Sequence, residues 1–165
     1  MAIRNIVKLG EPVLRKISRK VERFDERLFT LLDDMKETME KADGVGLAAV
    51  QVGILKRVVV INVGDGHIEL INPEIIEVSG EEEDYEGCLS LPGQYGLVKR
   101  PTYVKLRAQN RKGQWRLYEG TGLKARCFCH ELDHLDGIVY KDKETKSLTA
   151  DEVLEMRENG SRKDG

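Results

Sequence analysis

Hydrophobic residues keep helical spacing most clearly over residues 25–43, where Leu28, Leu31, Leu32, Met35, Met39 and Ala42 line one stripe. Asp25 stands where an N-cap carboxylate can accept from the first free amides, and Gly44 ends the run. The pattern predicts an N-terminal helix over about 25–43 whose stripe is core. Before it, residues 1–24 mix charges around Pro12 and predict an extended arm with one short helical turn after that proline. After it, Gly44–Gln51 keeps neither a helical nor a strand period. Its small residues suit the close approach of another backbone, and Gln51 is the one polar group on a mostly apolar segment. The glycine-lysine-hydroxyl ending of a phosphate loop is missing.

Further along, the period changes to two. Arg57–Val63 is a β-branched run that crosses Asp65-Gly66, a strong hairpin signal, into His67–Asn72. His67, beside that turn, is expected to be exposed. Ile75–Asp84 predicts another strand ending in the acidic run Glu81–Asp84, taken as a solvated edge. Glu86–Ser90 follows, closed by Pro92-Gly93. Tyr103–Gln109 and Gln114–Tyr118 alternate and are joined by Asn110–Gly113 in a second hairpin. A second helical stripe of Leu123, Cys127, His130 and His134, between Thr121 as cap and Gly137 as stop, predicts a helix at about 121–136. Thr149 and Glu152 form a capping box, with Leu148 and Val153 as its staple, so a short C-terminal helix is expected at about 150–158. Residues 159–165 read as a frayed tail. Strands lead into helices without βαβ alternation, which defines an α+β fold: mostly antiparallel sheets packed around the central helix. There is no repeat and no long linker, so residues 1–165 are expected to form one domain.

Composition narrows the function classes. The 27 basic and 29 acidic residues give a net charge of −2, which does not suggest sequence-specific nucleic-acid binding, and no cationic amphipathic stretch suggests a membrane surface. No apolar run reaches signal-peptide or membrane-span length, so a cytoplasmic protein is expected. The three cysteines, Cys88, Cys127 and Cys129, are an odd number without an export signal. They point to packing, metal ligation or catalysis rather than a disulfide framework.

The candidate chemistry lies in the second helix. His130-Glu131-Leu132-Asp133-His134 places two imidazoles four residues apart, on one helical face and one turn from each other. Glu131 projects about 100° around the helix from His130, so its carboxylate can flank a water on a shared metal without binding the metal. A catalytic tetrahedral site needs a third protein ligand and an open position. His67 is the only other histidine and lies upstream in a hairpin. Cys127 shares the stripe but sits about 10 Å along the axis from His134. Cys129 points roughly 100° away from His130 and reads as packing. Cys88 lies beside Gly87, which permits close approach. Spacing alone makes Cys88 the best of the three cysteines and does not decide.

Three segments in order, Gly44–Gln51, Glu86–Ser90 and His130–His134, resemble the signature motifs of the bacterial peptide deformylases: Gly-x-Gly-Leu-Ala-Ala-x-Gln, Glu-Gly-Cys-Leu-Ser and His-Glu-x-Asp-His. All fixed positions match, and similarity extends through Pro12–Ser18 and Pro92–Asn110 to about Tyr140, without large insertion. The resemblance implies removal of the N-formyl group from the initiator methionine of nascent chains. It implies a metal held by Cys88, His130 and His134, with Glu131 as general base and then acid. It assigns the oxyanion donors to the Gln51 amide and the Leu89 backbone N–H, and pairs the backbone of Val45, Gly46 and Gly87 with the substrate main chain. It points to Fe²⁺ as the working ion, although a thiolate and two imidazoles also accept Zn²⁺, Ni²⁺ or Co²⁺. The partners expected are N-formyl-methionyl peptides and nascent chains, and the reading allows a transient ribosome contact. Two departures bear on substrate preference: Arg126 stands where the family often has an apolar residue, and Tyr95 where some members have arginine. A zinc peptidase would use the same helix, and a non-catalytic metal or redox-sensing protein would need only the ligands.

Overall fold

Two helices and the strand pair between them make the centre of the fold. In the computed structural model, which describes residues 2–159, helix α1 runs Glu26–Lys41, and the Asp25 carboxylate accepts from Leu28 N at 3.2 Å. The motif segment forms α2, Gly122–Leu135. Between them run β1, Gly46–Ala48, and β2, Val58–Ile61, paired antiparallel. Successive strand residues face opposite sides, and here both sides are covered. Val58 and Val60 pack into the core that α1 supplies with Leu28, Leu32 and Met35, while Val59 and Ile61 pack with Ala125, Phe128 and Leu135 of α2. That is why Gly44–Gln51 shows no period: Leu47 and Ala49 join the first core, Ala48 and Val50 the second. Burying a side chain such as Phe128 is worth about 1.5–3 kcal/mol of transfer free energy. Packing on all sides, more than helix propensity, therefore fixes α2 at the centre.

The predicted hairpins form. Strand β3, Ile68–Ser79, pairs with β2 across Asp65-Gly66, and β6, Tyr103–Gln109, pairs with β7, Trp115–Thr121. The first sheet has the order β1-β2-β3-β6-β7. A second sheet, in the order β4-β5-β8, contains Glu82–Cys88, Leu91–Arg100 and Glu144–Leu148, and every strand pair in both sheets is antiparallel. The arm makes a 3₁₀ turn at Pro12–Arg15. Helix α3, Ala150–Glu158, opens on the predicted capping box, with Thr149 Oγ1 accepting from Glu152 N and the Glu152 carboxylate from Thr149 N, each at 3.1 Å. The α+β expectation holds, and the tail beyond Asn159 lies outside the described residues.

Four expectations need correction. Residues 68–79 are one strand, not two. Asn72, with φ 53°, makes a bulge there, and its side chain holds the N-terminal arm by accepting from Val21 N at 2.8 Å and donating to Val21 O at 2.9 Å. The acidic run opens β4 rather than ending a strand, and although β4 is an edge, Asp84 is buried. Thr121 occupies the N-cap position of α2 without a side-chain cap bond, because it is still the last residue of β7, opposite Tyr103. Strands β5 and β8 were not expected. Pro92, Gly93 and Gly96 interrupt the pattern of the first, and Glu144–Leu148 is almost wholly polar.

Glu69 on β3 joins three elements. Its carboxylate accepts from Arg111 Nε at 2.9 Å and Nη2 at 2.6 Å, and pairs with Lys36 of α1. Burial pushes this carboxyl up, but the hydrogen bonds from Arg111 and Lys36 outweigh it and hold the group below its ordinary value of 4.5. A carboxyl depressed by folding contributes stability above its unfolded pKa and loses it as pH falls through the folded one. Glu69→Gln should therefore lower stability at pH 7 by about 1 kcal/mol and flatten the acid limb in urea melts from neutrality down to pH 3. An unchanged acid limb would exclude Glu69 as a source of the acid sensitivity.

Candidate metal centre

The end of β4 meets the middle of α2. Cys88 Sγ lies 3.3 Å from His134 Nε2, and the donor atoms of Cys88, His130 and His134 all lie within 4.8 Å of one another. That is close to the span one ion bridges with bonds of about 2.0–2.3 Å. No other group of three or more such side chains converges among the described residues. The remaining candidates are placed elsewhere. Cys127 Sγ turns to Val45 O at 3.6 Å, Cys129 is buried in the core, and exposed His67 pairs with Glu40. A soft thiolate beside two imidazoles is a donor set that fits a transition-series divalent ion.

His130 is oriented by a carboxylate that sequence reasoning did not single out. Its Nδ1–H donates to Glu86 Oε1 at 2.8 Å, which leaves Nε2 with the free lone pair. Glu86 also accepts from Arg100 Nε at 2.8 Å and Nη2 at 3.0 Å, and from Arg126 Nη1 at 2.8 Å. Burial alone would raise this carboxyl, but the bonds from His130 and Arg100 hold it far below the usual range. A signal for Glu86 did exist: it stands two residues before Cys88, and residues two apart in a strand share a face. Arg100 had no local signal. His134 is fully buried, and burial together with the neighbouring His130 pushes it well below its ordinary value, which favours the neutral imidazole that ligates metals.

Glu131 stands beside the donor set, with Oε2 4.0 Å from His130 Nε2. Its Oε1 is buried with no hydrogen-bond partner among the described residues, and burial raises the carboxyl to about 7. Gln51, in a 3₁₀ turn at Ala49–Val52, is held by Ala48 N at 3.0 Å and donates to Ser90 Oγ at 3.1 Å and Cys88 Sγ at 3.5 Å. A cavity of about 360 Å³ is lined by Val45, Gly46, Gln51, Gly87, Cys88, Leu89, His130 and Glu131. Every predicted site residue except His134, which is fully buried, therefore reaches one space. Tyr95 and Arg126 also border it, so the two departures noted in the sequence both lie at the site.

The polypeptide deformylase family model matches residues 3–149, nearly the whole chain. The chain belongs to the peptide deformylase family. It is 57% identical over 162 residues to the peptide deformylase of Acetivibrio thermocellus, covering 98% of this chain and 95% of that one. It is 60% identical over 147 residues to peptide deformylase 1 of Clostridium acetobutylicum, covering 89% and 98%. The crystal structure of the peptide deformylase from Thermotoga maritima superposes with a TM-score of 0.85 at 43% identity, covering 87% of this chain and 98% of that one. The chain is accordingly a metal-dependent hydrolase that removes the N-formyl group from nascent chains. No helix among the described residues is long and apolar enough to cross a membrane.

Gly46 is where this site tolerates least change. A Cβ built there would lie 2.6 Å from Glu131 Oε2 and 2.8 Å from Cys127 Sγ. Because the first obstacle is the end of a flexible carboxylate, Gly46→Ala should fold but displace Glu131. Misplacing a reacting group by about an ångström costs up to ~10² in rate. We expect kcat to fall by about that order, with a lowered melting temperature as well because Cys127 Sγ and Glu131 Cγ would each lie 2.8 Å from the new Cβ. A fully active Gly46→Ala enzyme would show that the carboxylate has room to spare.

Proposed function

We propose that Cys88, His130 and His134 hold the divalent metal of this deformylase and that Glu131 moves the protons of the reaction. The observation that carries the proposal is the convergence of those three donors with a buried, unligated carboxylate beside them. A divalent ion there supplies Lewis acidity, making water acidic enough to attack near neutral pH. Glu131, with its pKa near 7, accepts the water proton and returns it to the departing amine, so that formate and a free N-terminus leave. The Gln51 amide and the Leu89 backbone N–H donate to the oxyanion that forms on the formyl oxygen. Losing one such donor costs ~10²–10³ in rate. The backbone of Val45, Gly46 and Gly87 pairs with the substrate main chain as an added strand, which reads no side chain and so suits every nascent sequence. Nascent chains as substrate imply work in the cytoplasm and a transient encounter with the ribosome.

The working ion we propose is Fe²⁺, with Ni²⁺, Co²⁺ and Zn²⁺ as substitutes. The donor set does not choose among them. Cys88, His130 and His134 would hold any of these ions, and an ion less rigidly committed to four donors than Zn²⁺ would supply its Lewis acidity to the reaction more readily. Anaerobically reconstituted Fe²⁺ enzyme should therefore outpace the Zn²⁺ form and decay in air as Cys88 oxidises. Equal rates and air stability would reject iron and leave the hydrolase assignment intact.

Glu131→Ala should keep one equivalent of metal and lose ~10²–10⁴ in turnover of formyl-Met peptides. Cys88→Ala, His130→Ala and His134→Ala should each lose metal and activity together. A metal-free Glu131→Ala protein would move Glu131 into the ligand set. In the same assay, acetyl-Met peptides should be much poorer substrates, since a rigid wall excludes the extra methyl by clash beyond the ~1–3 kcal/mol of an ordinary pocket. Comparable kcat/KM values would make the enzyme a general N-acyl hydrolase.

A further inference from the structure

We propose that Arg126 is a positioning residue of the metal centre: it ties α2 to β4 and β5, so that the two histidines face Cys88 before any ion binds. The proposal rests on the ligand set given above. Those ligands come from two separate pieces of the fold, Cys88 from the end of β4 and both histidines from α2. One ion can reach all three only if the helix and the strand keep their spacing. Arg126 lies one turn before His130 on the same helix face and is only 3% exposed. Its Nη2 donates to Glu82 O at 2.9 Å, and its Nη1 donates to Glu86 Oε2 and to Val98 O, each at 2.8 Å. With a longer contact from Nη1 to Asp84 O at 3.5 Å, one side chain of the helix therefore grips both β4 and β5.

The point held at Glu86 matters most, because that carboxylate also orients His130 and lies two residues from Cys88. Arg100 makes the reciprocal tie from β5, reaching Glu86 and, through Nη1 at 2.7 Å, Asp133 of α2. A planar guanidinium can serve several acceptors at fixed angles, which a lysine ammonium cannot. Removing one partner from such a buried cluster leaves the others uncompensated, so the geometry loosens where the ligands meet. Arg126 also borders the cavity, and a cation there could instead read the substrate's first side chain. Both of its terminal nitrogens already donate to protein acceptors, which favours the clamp.

The test compares anaerobic, metal-free wild type with Arg126→Met, titrated with Co²⁺ alone. Thiolate-to-cobalt absorption reports engagement of Cys88, chelator competition gives the affinity, and urea melts of the metal-free forms report stability separately. Arg126→Met should bind Co²⁺ ~10–100-fold more weakly, as expected when a partner of a ligand is lost, with weaker thiolate absorption per bound cobalt. KM for formyl-Met peptides should stay close to wild type once metal is saturating. Arg126→Lys, which keeps the charge but cannot serve all of these acceptors, should fall between the two, and it replaces Arg126→Met if that chain does not fold. Unchanged cobalt affinity and absorption in the folded variants would overturn the clamp, whether stability drops or KM rises. If wild type itself shows no thiolate absorption that Cys88→Ala removes, the ligand set fails instead.

Discussion

The centre of this enzyme depends on one buried anion. Glu86 is taken out of water on an edge strand, a placement that costs several kcal/mol for an uncompensated carboxylate. It is tolerated because an imidazole and two guanidiniums converge on it from two elements: His130 and Arg126 of α2, and Arg100 of β5. Such a cluster is weak evidence for net stability and strong evidence for a defined geometry, since each member has partners only when the others are in place. The small sheet is thereby locked to the helix at the level where Cys88 meets the histidines. Asp133, inside the His-Glu-x-Asp-His segment, completes the lock by accepting from Arg100.

The large sheet sets the other coordinate. With β2 covered on both faces, α2 has no solvent side along its middle, and residues Ala125–Leu132 are all buried. A helix enclosed in this way cannot rotate to relieve a clash, so neighbouring backbone must be shaped to its polar side chains. Gly46 on β1 shows the consequence: the strand passes Glu131 and Cys127 at a distance that admits no Cβ. The same strand leads into the turn that carries Gln51, so the packing that buries α2 also aims the amide toward Cys88.

Much of this was legible in the sequence where local chemistry determines structure. The Asp25 cap with its leucine stripe, the Thr149–Glu152 box and the two turns at Asp65-Gly66 and Asn110–Gly113 involve residues near one another, and they formed as expected. The candidate site was legible for another reason: three short motifs in order match a known family, and eight of the nine candidate residues they imply line one cavity. Non-local features were not readable. Strand β8 has an almost wholly polar sequence and exists because β5 offers it an edge. The bulge at Asn72 reflects the docking of Val21, 51 residues away in the chain. Spacing could not choose Cys88 over the other cysteines, since its approach to His134 is a contact across 46 residues. Arg126, a departure bearing on substrate preference, does border the cavity, but the hold of its terminal nitrogens on two strands had no signal in the sequence.

Two carboxylates a few ångströms from His130 show how the same burial gives opposite chemistry. Glu86 and Glu131 are both almost completely enclosed. Desolvation raises the pKa of each, and the donors and charges around each decide the outcome. Glu86 collects four hydrogen bonds, three from guanidiniums and one from the His130 imidazole, and stays ionised far below its ordinary range, a fixed charge suited to orienting that ring. Glu131 has an oxygen without any partner among the described residues and titrates near 7, a poise suited to taking up and giving back a proton. Carboxylates whose environments push them apart divide into a static and a moving role. In this fold the guanidiniums of Arg100 and Arg126 set the two carboxyls apart, because both are directed at Glu86 and neither donates a hydrogen bond to Glu131.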